Sequence, residues 1–457
     1  MRTAAESASA AVACPRCDAR LDLRAPALFC SRCGRSYPRL GSVPVLLPEP
    51  DRFLDIIRDQ LRVLDEQIEQ TTAALESQAR AGDVLPLTRA RCQALLDASR
   101  QQRSELAALL LPLLPQLPAA GEGAPSSLGN VPSLLTNIHY LFRDWGWPAA
   151  PDDENARTYA AVSRVLGGRP LGSMLVLGAG ACRLAYDLHR HGGATETIAV
   201  DIDPILLAVA DVVVRGGTVQ VTEGYADMNE LARPATRWNL QAPAALSDDR
   251  FHLMLADGLD PPIAAHTFDT VVTPWFIDAI PSDLREAIGV VSRMLRPAGR
   301  WVSIGPLRYA PDVPVVRRFT REEVFELAAR AGLAIQAWEA GTCASLVSSQ
   351  TGRGKLEWVL TFCAVEGAGA REGFRGSGPP PWLVFGHLPI PTFAGQQLLA
   401  STNPLVRFVV SAIDGQRTLD DVTAVVVSQI AGRGVSKRQV RETVRQCVAE
   451  IHPACRT

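Results

Sequence analysis

The chain has 457 residues, too many for a single core, and should form roughly two or three compact units. Apolar residues make up 47% and charged residues 21%, a globular composition that argues against extensive disorder. The 46 Lys and Arg nearly balance the 48 Asp and Glu, so the net charge of −2 gives no general attraction to nucleic acid or to an anionic membrane. We find no signal peptide and no apolar run that could span a membrane, and the sequence therefore predicts a soluble, cytoplasmic protein.

Four of the ten cysteines form two CxxC pairs near the start of the chain. Cys14 and Cys17 make the first pair, and Cys30 and Cys33 make the second, with Gly34 directly after it. Each CxxC turn directs two thiolates at one ion, and two turns complete a tetrahedral zinc site with no position for water. Such a closed site is structural. The alternatives are unconnected thiol pairs or a redox CxxC, which would need a surrounding βαβ pattern.

Residues 1–50 as a whole resemble the short zinc ribbons, related to methyltransferase-activator subunits, that precede some methyltransferases. They also resemble the ribbon that opens some ribosomal RNA guanine methyltransferases. The resemblance implies a structural Zn²⁺ ion in this unit and a link to methyl transfer.

Residues 51–150 are predicted to be a helical segment that covers a neighbouring unit. Apolar residues recur every three or four positions between 54 and 68, the pattern of an amphipathic helix. A second helix is predicted at about 87–111. The proline and small-residue run at 119–132 is typical of a linker.

A glycine turn between a predicted strand and a predicted helix lies near the start of the third unit, residues 151–367. Gly178 and Gly180 occupy this turn, where backbone amides at a helix N-terminus can approach a ligand closely. The next predicted strand ends in Asp201, whose carboxylate can accept hydrogen bonds from both hydroxyls of a ribose. The dinucleotide fingerprint GxGxxG fails, because Arg183 stands at its third glycine.

Further strand patterns complete this unit. Segments 251–257 and 268–273 are predicted to be parallel strands that end in polar positions, and a turn at 295–299 leads into another strand. Alternating strands and helices over about 200 residues specify a doubly wound parallel α/β sheet, with its ligand at the carboxyl ends of the strands.

The order of these motifs resembles the S-adenosylmethionine-dependent class I methyltransferases. The resemblance implies a Rossmann-like class I methyltransferase sheet in which Leu295 begins the sixth strand. It also implies S-adenosyl-L-methionine as cofactor, with Asp257 beside the adenine. Arg183 either holds the cofactor carboxylate through a fork of hydrogen bonds or is a surface charge on a helix. The predicted cofactor-binding residues are Gly178, Gly180, Arg183, Asp201 and Asp257.

Three segments narrow the resemblance to the carnosine N-methyltransferase family: GAGACRLA at 178–185, TPWFID at 273–278 and GPLRYA at 305–310. That family carries GAGxGRLA, FFID and GPLLYH at similar spacing, an RDW element that matches Arg143–Trp145, and a long insertion like that at 215–250. The chain departs from the family at Cys182, which replaces a glycine. It also departs at Ala310, which replaces a histidine implicated in holding the imidazole substrate.

Asp278 and Tyr309 are the predicted catalytic residues. Methyl transfer is an in-line displacement, so catalysis depends on alignment and on exclusion of water. A neutral imidazole nitrogen is already nucleophilic, and the other N–H of the ring needs an acceptor that stabilises the developing positive charge. Asp278, at the carboxyl end of the fourth strand, suits that role, and its alternative is to cap the following helix. Tyr309 either lines the acceptor pocket or is packed in the core.

Residues 368–457 are predicted to be a linker, running to about residue 381, and a small helical unit. The segment 405–422 indicates a helix, a turn and a second helix with an approximate cap at Thr418 and Asp421, and residues 436–450 indicate another amphipathic helix. The IDGQRTLDDV segment resembles PqqD-like winged-helix modules, which hold peptides in modified-peptide pathways. Peptide, nucleic-acid and purely structural roles remain open for this unit.

These patterns predict an S-adenosylmethionine-dependent N-methyltransferase that acts on an imidazole or another nitrogen of a small molecule or peptide. The expected partners are this acceptor and, for the C-terminal unit, a peptide; nucleic acid and membrane are not expected. One alternative is an RNA base methyltransferase that uses the ribbon for substrate binding, which the balanced charge and the lack of an NPPY-like motif disfavour. A non-catalytic scaffold, in which Cys182 prevents cofactor binding, is another.

Overall fold

The computed structural model describes most of the chain. The described residues are 11–23, 28–80, 84–111, 137–147, 153–224, 235–247, 249–280, 283–311, 313–348, 354–367, 382–383, 386–393, 396, 404–430, 437–452 and 455. The predicted linkers at 119–132 and 368–381 lie outside them. In the described part of the chain, no helix combines the length and the apolar character that a membrane span requires.

Four short strands form the N-terminal ribbon: β1 (Leu28–Phe29), β2 (Ser36–Tyr37), β3 (Arg39–Leu40) and β4 (Val43–Pro44). β1 pairs with β2 and β3 pairs with β4, both antiparallel. After β4 the chain joins the central sheet, because Val45 forms a parallel bridge with Leu255 and the Leu46 N–H donates to the Leu255 carbonyl at 2.8 Å. Ala13 makes a similar contact, since its N–H donates to the carbonyl of Pro262 at 2.8 Å. The ribbon is therefore joined to the sheet edge through its backbone.

Two long helices follow, as the sequence predicts: α1 (Pro50–Ala79) and α2 (Pro86–Leu110). Each begins at a proline, which suits a first helical turn because proline has no N–H to leave unpaired. One face of α1 is buried at Leu54, Ile57, Leu61 and Leu64, in agreement with its apolar periodicity.

The next elements lead from the helical segment into the sheet. They are α3 (Ile138–Leu141), a π-helical turn (Phe142–Gly146), α4 (Glu154–Leu166), β5 (Gly172–Leu177), α5 (Arg183–His191), β6 (Ala194–Asp201), α6 (Pro204–Val214), β7 (Val219–Gly224), β8 (Ala235–Leu240), β9 (Phe251–Leu255), β10 (Phe268–Pro274), α7 (Leu284–Met294), β11 (Leu295–Pro306), a 3₁₀ turn (Val315–Arg317), α8 (Arg321–Arg330), β12 (Leu333–Ser345) and β13 (Lys355–Glu366).

Seven of these strands form one sheet in the order β12-β13-β11-β10-β5-β6-β9. β9, β6, β5, β10 and β11 run parallel, which confirms the predicted doubly wound, Rossmann-like sheet. Two expectations need correction. β13 runs antiparallel to both β11 and β12, so the sheet is mixed, because β12 and β13 form a hairpin without a crossover helix. Leu295 begins the fifth strand of the sheet along the chain, not the sixth.

The central strand β5 is buried on both faces of the sheet. In β5, Met174 and Val176 pack into one core together with α1, α4 and α6, whereas Leu175 and Leu177 pack into another with the ribbon, α7 and α8. A strand that is covered on both faces has no exposed side, which explains its continuous apolar run.

The insertion predicted at 215–250 contains the hairpin of β7 and β8, which pair antiparallel. Glu105 of α2 holds this hairpin: its carboxylate accepts the Thr222 N–H at 2.6 Å and pairs with Arg237 at 2.7 Å. The helical segment thus covers the insertion as well as the sheet.

The described residues of the C-terminal unit include the helices α9 (Pro404–Ala412), α10 (Leu419–Ile430) and α11 (Lys437–Ile451). The predicted cap is present, since the Thr418 N–H donates to Asp421 at 2.9 Å and the Asp421 N–H donates to the Thr418 hydroxyl at 3.1 Å. This unit has a core of its own, made of residues such as Val409, Leu419 and Val444. Its identification as a PqqD-like module stays a prediction.

Candidate functional site

The four cysteines of the ribbon converge on one point. The Sγ atoms of Cys14, Cys17, Cys30 and Cys33 all lie within 4.8 Å of one another. Cys14 and Cys33 are 3.7 Å apart, and Cys17 and Cys30 are 3.5 Å apart. Zn–S bonds of about 2.3 Å in a tetrahedron require sulfur atoms about 3.8 Å apart, so these four thiols fit a zinc ion. A set of four sulfurs leaves no position for water, as expected of a structural site.

The surroundings of this cluster also suit a metal. The Tyr37 hydroxyl lies 2.9 Å from Cys14 Sγ and is buried, so it can donate to a metal-bound thiolate. Gly34 has φ +71° and its N–H donates to the Cys30 carbonyl at 2.9 Å, which closes the second CxxC turn in the left-handed region that favours glycine.

The glycine turn lies between β5 and α5, as predicted. Gly178 and Gly180 have φ of +71° and +58°. A Cβ added to Gly180 would meet no atom within 4 Å, so the space over this backbone is open. A Cβ on Gly178 would lie 2.7 Å from the ring of Phe276, which also comes within 3.0 Å of a Cβ added to Gly258. Phe276 therefore lies against both glycines and connects this turn to the end of β10.

Cys182 occupies the last position of this turn. It adopts φ +68°, a conformation that costs an L-residue about 1–2 kcal/mol. Its side chain is fully buried, and its Sγ lies 3.6 Å from the Gly180 carbonyl oxygen. The pKa of the thiol is raised by burial and, to a smaller extent, by the charge of Asp201. Because the thiol is enclosed by protein, it does not occupy the open space over Gly180.

Asp201 ends β6 next to this turn. One oxygen accepts the Gly180 N–H at 2.7 Å and the other accepts the Asp203 N–H at 2.8 Å. Burial, and then the nearby Asp203, raise the pKa of Asp201 to about 7 against the opposing effect of these amides. Each carboxylate oxygen can accept a second hydrogen bond, so the pair retains capacity for two hydroxyl donors.

Asp257 has different neighbours. It follows β9, and its Oδ1 accepts the Leu259 N–H at 2.9 Å in a turn. Its Oδ2 lies 3.8 Å from Nη1 of Arg438, which belongs to α11 of the C-terminal unit. The carboxylate thus faces the C-terminal unit, which the sequence did not indicate.

Arg183 is engaged in packing. Its Nε donates to Asp187 at 2.9 Å, its Nη1 donates to the Asp144 carbonyl at 2.9 Å, and its guanidinium lies 5.4 Å from the ring centroid of Trp145. Trp145 in turn donates from Nε1 to the Ala181 carbonyl at 2.8 Å. The Arg143–Trp145 element therefore supports the glycine turn from behind, and a cofactor-binding role for Arg183 stays a prediction.

Asp278 lies just beyond β10, the neighbour of β5 in the sheet. Only 8% of the residue is exposed. Its Oδ2 accepts the Arg308 N–H at 3.3 Å, whereas its Oδ1 is buried and has no hydrogen-bond partner among the described residues. Burial, and secondarily the charge of Glu357, raise the pKa of Asp278 to about 6. The alternative role as a helix cap is wrong, because Asp283 caps α7 by accepting the Arg285 N–H at 3.0 Å.

Tyr309 is close to Asp278 and shares its lack of a partner. Its hydroxyl is buried and accepts or donates no hydrogen bond within the part of the chain that the structure describes. Burial raises the pKa of Tyr309 to about 12, and the charge of Asp278 adds to this effect. The ring lies edge-on to Phe319 with centroids 6.5 Å apart.

A cleft of about 640 Å³ opens beside Tyr309. Its walls include Arg308, Arg318 and Trp358, none of which the sequence singled out. Arg308 could have been noticed because it adjoins Tyr309. Trp358 carries no sequence signal, since it reaches the cleft from β13, almost fifty residues further along the chain.

Comparisons with known proteins do not assign a family. No protein-family model matches the chain, and no curated protein matches it. A phosphoethanolamine N-methyltransferase 2 from Haemonchus contortus is 16% identical over 53% of this chain and 61% of that chain, with a TM-score of 0.35. The [4+2]-cyclase SpnF is 16% identical over 50% of this chain and 88% of that one, with a TM-score of 0.32.

A candidate methyltransferase from Bacillus halodurans is 10% identical over 46% of this chain and 99% of that one, with a TM-score of 0.32. Similarities at this level do not assign an activity to the chain.

Proposed function

We propose that this protein is an S-adenosylmethionine-dependent N-methyltransferase that acts on an imidazole or another nitrogen of a small molecule or peptide. The observation that carries the proposal is the buried Oδ1 of Asp278, which has no hydrogen-bond partner among the described residues. A buried carboxylate oxygen without a donor is costly, and such atoms are typical of sites that receive a ligand.

The open turn at Gly180 and the carboxylate of Asp201 would hold the cofactor. The backbone over Gly180 leaves room for a ligand, and Asp201 can accept hydrogen bonds from two ribose hydroxyls. Gly178 lets the Phe276 ring approach this turn, and Asp257 is the candidate for the adenine edge. When bound, S-adenosylmethionine would supply an electrophilic methyl group on a sulfonium.

Asp278 would accept an N–H of the acceptor and orient its ring. The Arg308 N–H holds one carboxylate oxygen in place, so the other can face the acceptor without rearrangement. With a pKa of about 6, Asp278 is mainly ionised at neutral pH and can stabilise the positive charge that develops on the acceptor. Tyr309 would complete the pocket wall and can donate its hydroxyl.

The other units would support this site. We infer that the chain has four units, residues 1–50, 51–150, 151–367 and 368–457. Zinc would be a structural ion in the first. The FID segment that ends in Asp278 supports a carnosine-methyltransferase-like class. A peptide-holding role is proposed for the last unit.

Two observations weigh against the alternatives. The chain has 46 Lys and Arg against 48 Asp and Glu, and this balanced charge disfavours an RNA base methyltransferase. The thiol of Cys182 is enclosed by protein, which disfavours a scaffold that has lost cofactor binding.

Calorimetry with S-adenosylmethionine and a search for products that have gained one methyl mass test the proposal. The wild type should bind the cofactor and methylate a nitrogen acceptor, and Asp278→Asn should bind it equally well but lose most turnover. Asp59→Asn is the matched control, because the Asp59 side chain is 67% exposed on α1. Failure of the wild type to bind the cofactor would overturn the proposal.

A further inference from the structure

The cleft beside Tyr309 has an unusual charge. Three arginines line it, namely Arg308, Arg318 and Arg321, against one carboxylate, that of Glu322. Arg321 pairs with Glu322 and also lies over the ring of Trp338, 4.3 Å from its centroid. The cleft therefore retains the charge of two arginines.

Neither of those two arginines pairs with a carboxylate in the part of the chain that the structure describes. Arg318 donates to the carbonyls of Val313 and Pro311, at 2.8 and 2.7 Å, so it is held in position by groups without net charge. The guanidinium of Arg308 has no hydrogen bond or carboxylate within 4.0 Å among the described residues. Two guanidinium groups in one cleft, without a carboxylate partner, favour an anion, above all one with oxygen atoms that can accept paired N–H bonds.

Aromatic side chains also line the cleft. Tyr309 and Phe319 pack edge to face, and Trp358 is 43% exposed on β13. An exposed aromatic ring beside cations suits a ligand with a flat apolar part and an anionic part.

The cleft is connected to Asp278 through the same residues. The backbone N–H of Arg308 bonds to Asp278 Oδ2, while its side chain lines the cleft. The next residue, Tyr309, also lines the cleft, and its buried hydroxyl has no hydrogen-bond partner among the described residues. The cleft therefore adjoins the residue whose amide holds Asp278, and Asp278 itself is not among the residues that line it.

We propose that the cleft binds an anionic group of the methyl acceptor, a carboxylate or a phosphoryl group, on Arg308 and Arg318, while the acceptor nitrogen faces Asp278. This inference rests on the proposed function and specifies its substrate class: a flat nitrogen heterocycle with a short anionic arm. Recognition of the anion would orient the acceptor before transfer, which is a large part of catalysis in a displacement.

Calorimetry of the full chain with inorganic phosphate and with acetate tests the anion site directly. At least one probe should bind the wild type, and Arg308→Gln should weaken it about tenfold or more, because a charge-assisted hydrogen bond is lost. Arg308→Lys should retain part of the affinity. Arg317→Gln is the control, because it removes the same charge from the adjacent 3₁₀ turn, outside the cleft lining.

Histidinol, histidine and histidinol phosphate then connect the anion site to the acceptor. They share an imidazole and an amine and differ in a hydroxyl, a carboxylate or a phosphoryl terminus. Tighter binding of histidine than of histidinol identifies the carboxylate, and tighter binding of histidinol phosphate identifies the phosphoryl group. Either preference should disappear in Arg308→Gln.

Equal affinity for all three compounds, or equal anion binding by wild type and Arg308→Gln, would overturn the inference. The cofactor measurement separates this result from failure of the proposed function. If S-adenosylmethionine binds but no anion does, only the inference fails. If anions bind at Arg308 but S-adenosylmethionine does not, the methyltransferase assignment fails and the anion site remains.

Discussion

Asp201 ends β6, and Asp278 lies just beyond β10 at the same carboxyl end of the sheet, yet their carboxylates differ in hydrogen bonding. Both oxygens of Asp201 accept backbone N–H groups, from Gly180 and Asp203. Asp278 accepts one, from Arg308, and its other oxygen is buried without a partner among the described residues. Burial raises the pKa of both acids, to about 7 and about 6.

This difference in hydrogen bonding indicates different roles for the two acids. Asp201 organises the glycine turn before any ligand arrives, and a ligand would add to a carboxylate that is already bonded. The buried Oδ1 of Asp278 lacks a hydrogen-bond donor, which costs the folded protein free energy. A ligand N–H that donates to this oxygen would remove that cost. We therefore expect the loss of Asp201 to act on cofactor affinity and the loss of Asp278 to act on turnover.

Zinc removal should have the largest effect on stability. It should unfold the ribbon and leave the difference between Asp201 and Asp278 unchanged. Removing the ion from the Cys14–Cys33 cluster should unfold the ribbon, because the binding energy of a structural zinc, about 10 kcal/mol or more, is folding energy. Hydrogen exchange after chelation should show loss of protection at residues 11–47. Cys17→Ser should mimic chelation, and Cys92→Ser on α2 should not. A ribbon that stays folded without zinc while only the chemical step is lost would contradict a structural site.

Asp278→Asn should produce the next largest effect. It removes the charge that stabilises a cationic acceptor but keeps the size of the side chain, so turnover should fall roughly 10²–10⁴-fold. Affinity for S-adenosylmethionine should stay unchanged, and the free energy of unfolding should not decrease, because a buried charge is lost. Single-turnover kinetics and calorimetry measure the two quantities. A parallel fall in cofactor affinity would move Asp278 into the cofactor site.

Asp201→Ala should lower the affinity for S-adenosylmethionine. Loss of hydrogen bonds between a carboxylate and ribose hydroxyls should weaken S-adenosylmethionine binding by about 1–3 kcal/mol. Part of that loss would come from the glycine turn, because the Gly180 N–H loses its acceptor. Asp59→Ala, at an exposed position of α1, serves as the control for charge. Unchanged affinity would place the nucleoside elsewhere.

The sequence predicted these two acids because each depends on local order along the chain. A strand, a glycine turn and a second strand place Asp201 beside Gly180, and a strand that ends at Pro274 places Asp278 at the same sheet edge. Their states were not predictable. The amide that holds Asp278 comes from Arg308, thirty residues away, and the contact of Asp257 with Arg438 depends on how the C-terminal unit packs.

Contacts between residues that are distant along the chain also explain why the sequence did not settle the role of Arg183 and did not reveal the cleft. The sequence left two roles open for Arg183, and one of its partners, the Asp144 carbonyl, lies thirty-nine residues earlier. The cleft is assembled from three separate segments around Arg308, Arg318 and Trp358. A pattern along the chain identifies residues that are close in sequence, whereas a surface assembled from distant segments appears only in the fold.

The pH dependence of the two acids should distinguish them further. Each has a raised pKa in the folded state, so ionisation costs stability as pH rises from about 4 toward the folded pKa. Each function needs the ionised form. Cofactor affinity should therefore fall up to about tenfold for each pH unit below about 7, and Asp201→Asn should flatten this profile. Turnover with saturating cofactor should fall below about pH 6, a limb that Asp278→Asn should lose. Identical profiles in wild type and variants would exclude both assignments.

The smallest effect should come from Cys182→Gly. The substitution relieves the strain of a non-glycine residue at φ +68°, about 1–2 kcal/mol, but it removes a fully buried side chain and adds backbone freedom to the unfolded chain. These terms oppose each other, so the free energy of unfolding should change by less than about 1 kcal/mol. Affinity for S-adenosylmethionine should change less than about threefold, about 0.6 kcal/mol, because the thiol does not come within 4 Å of a Cβ built on Gly180. Calorimetry and denaturant unfolding measure both. If glycine at this position improved cofactor binding tenfold or more, the thiol would be shown to crowd the site, and the turn that Asp201 organises would be only partly fit for its ligand.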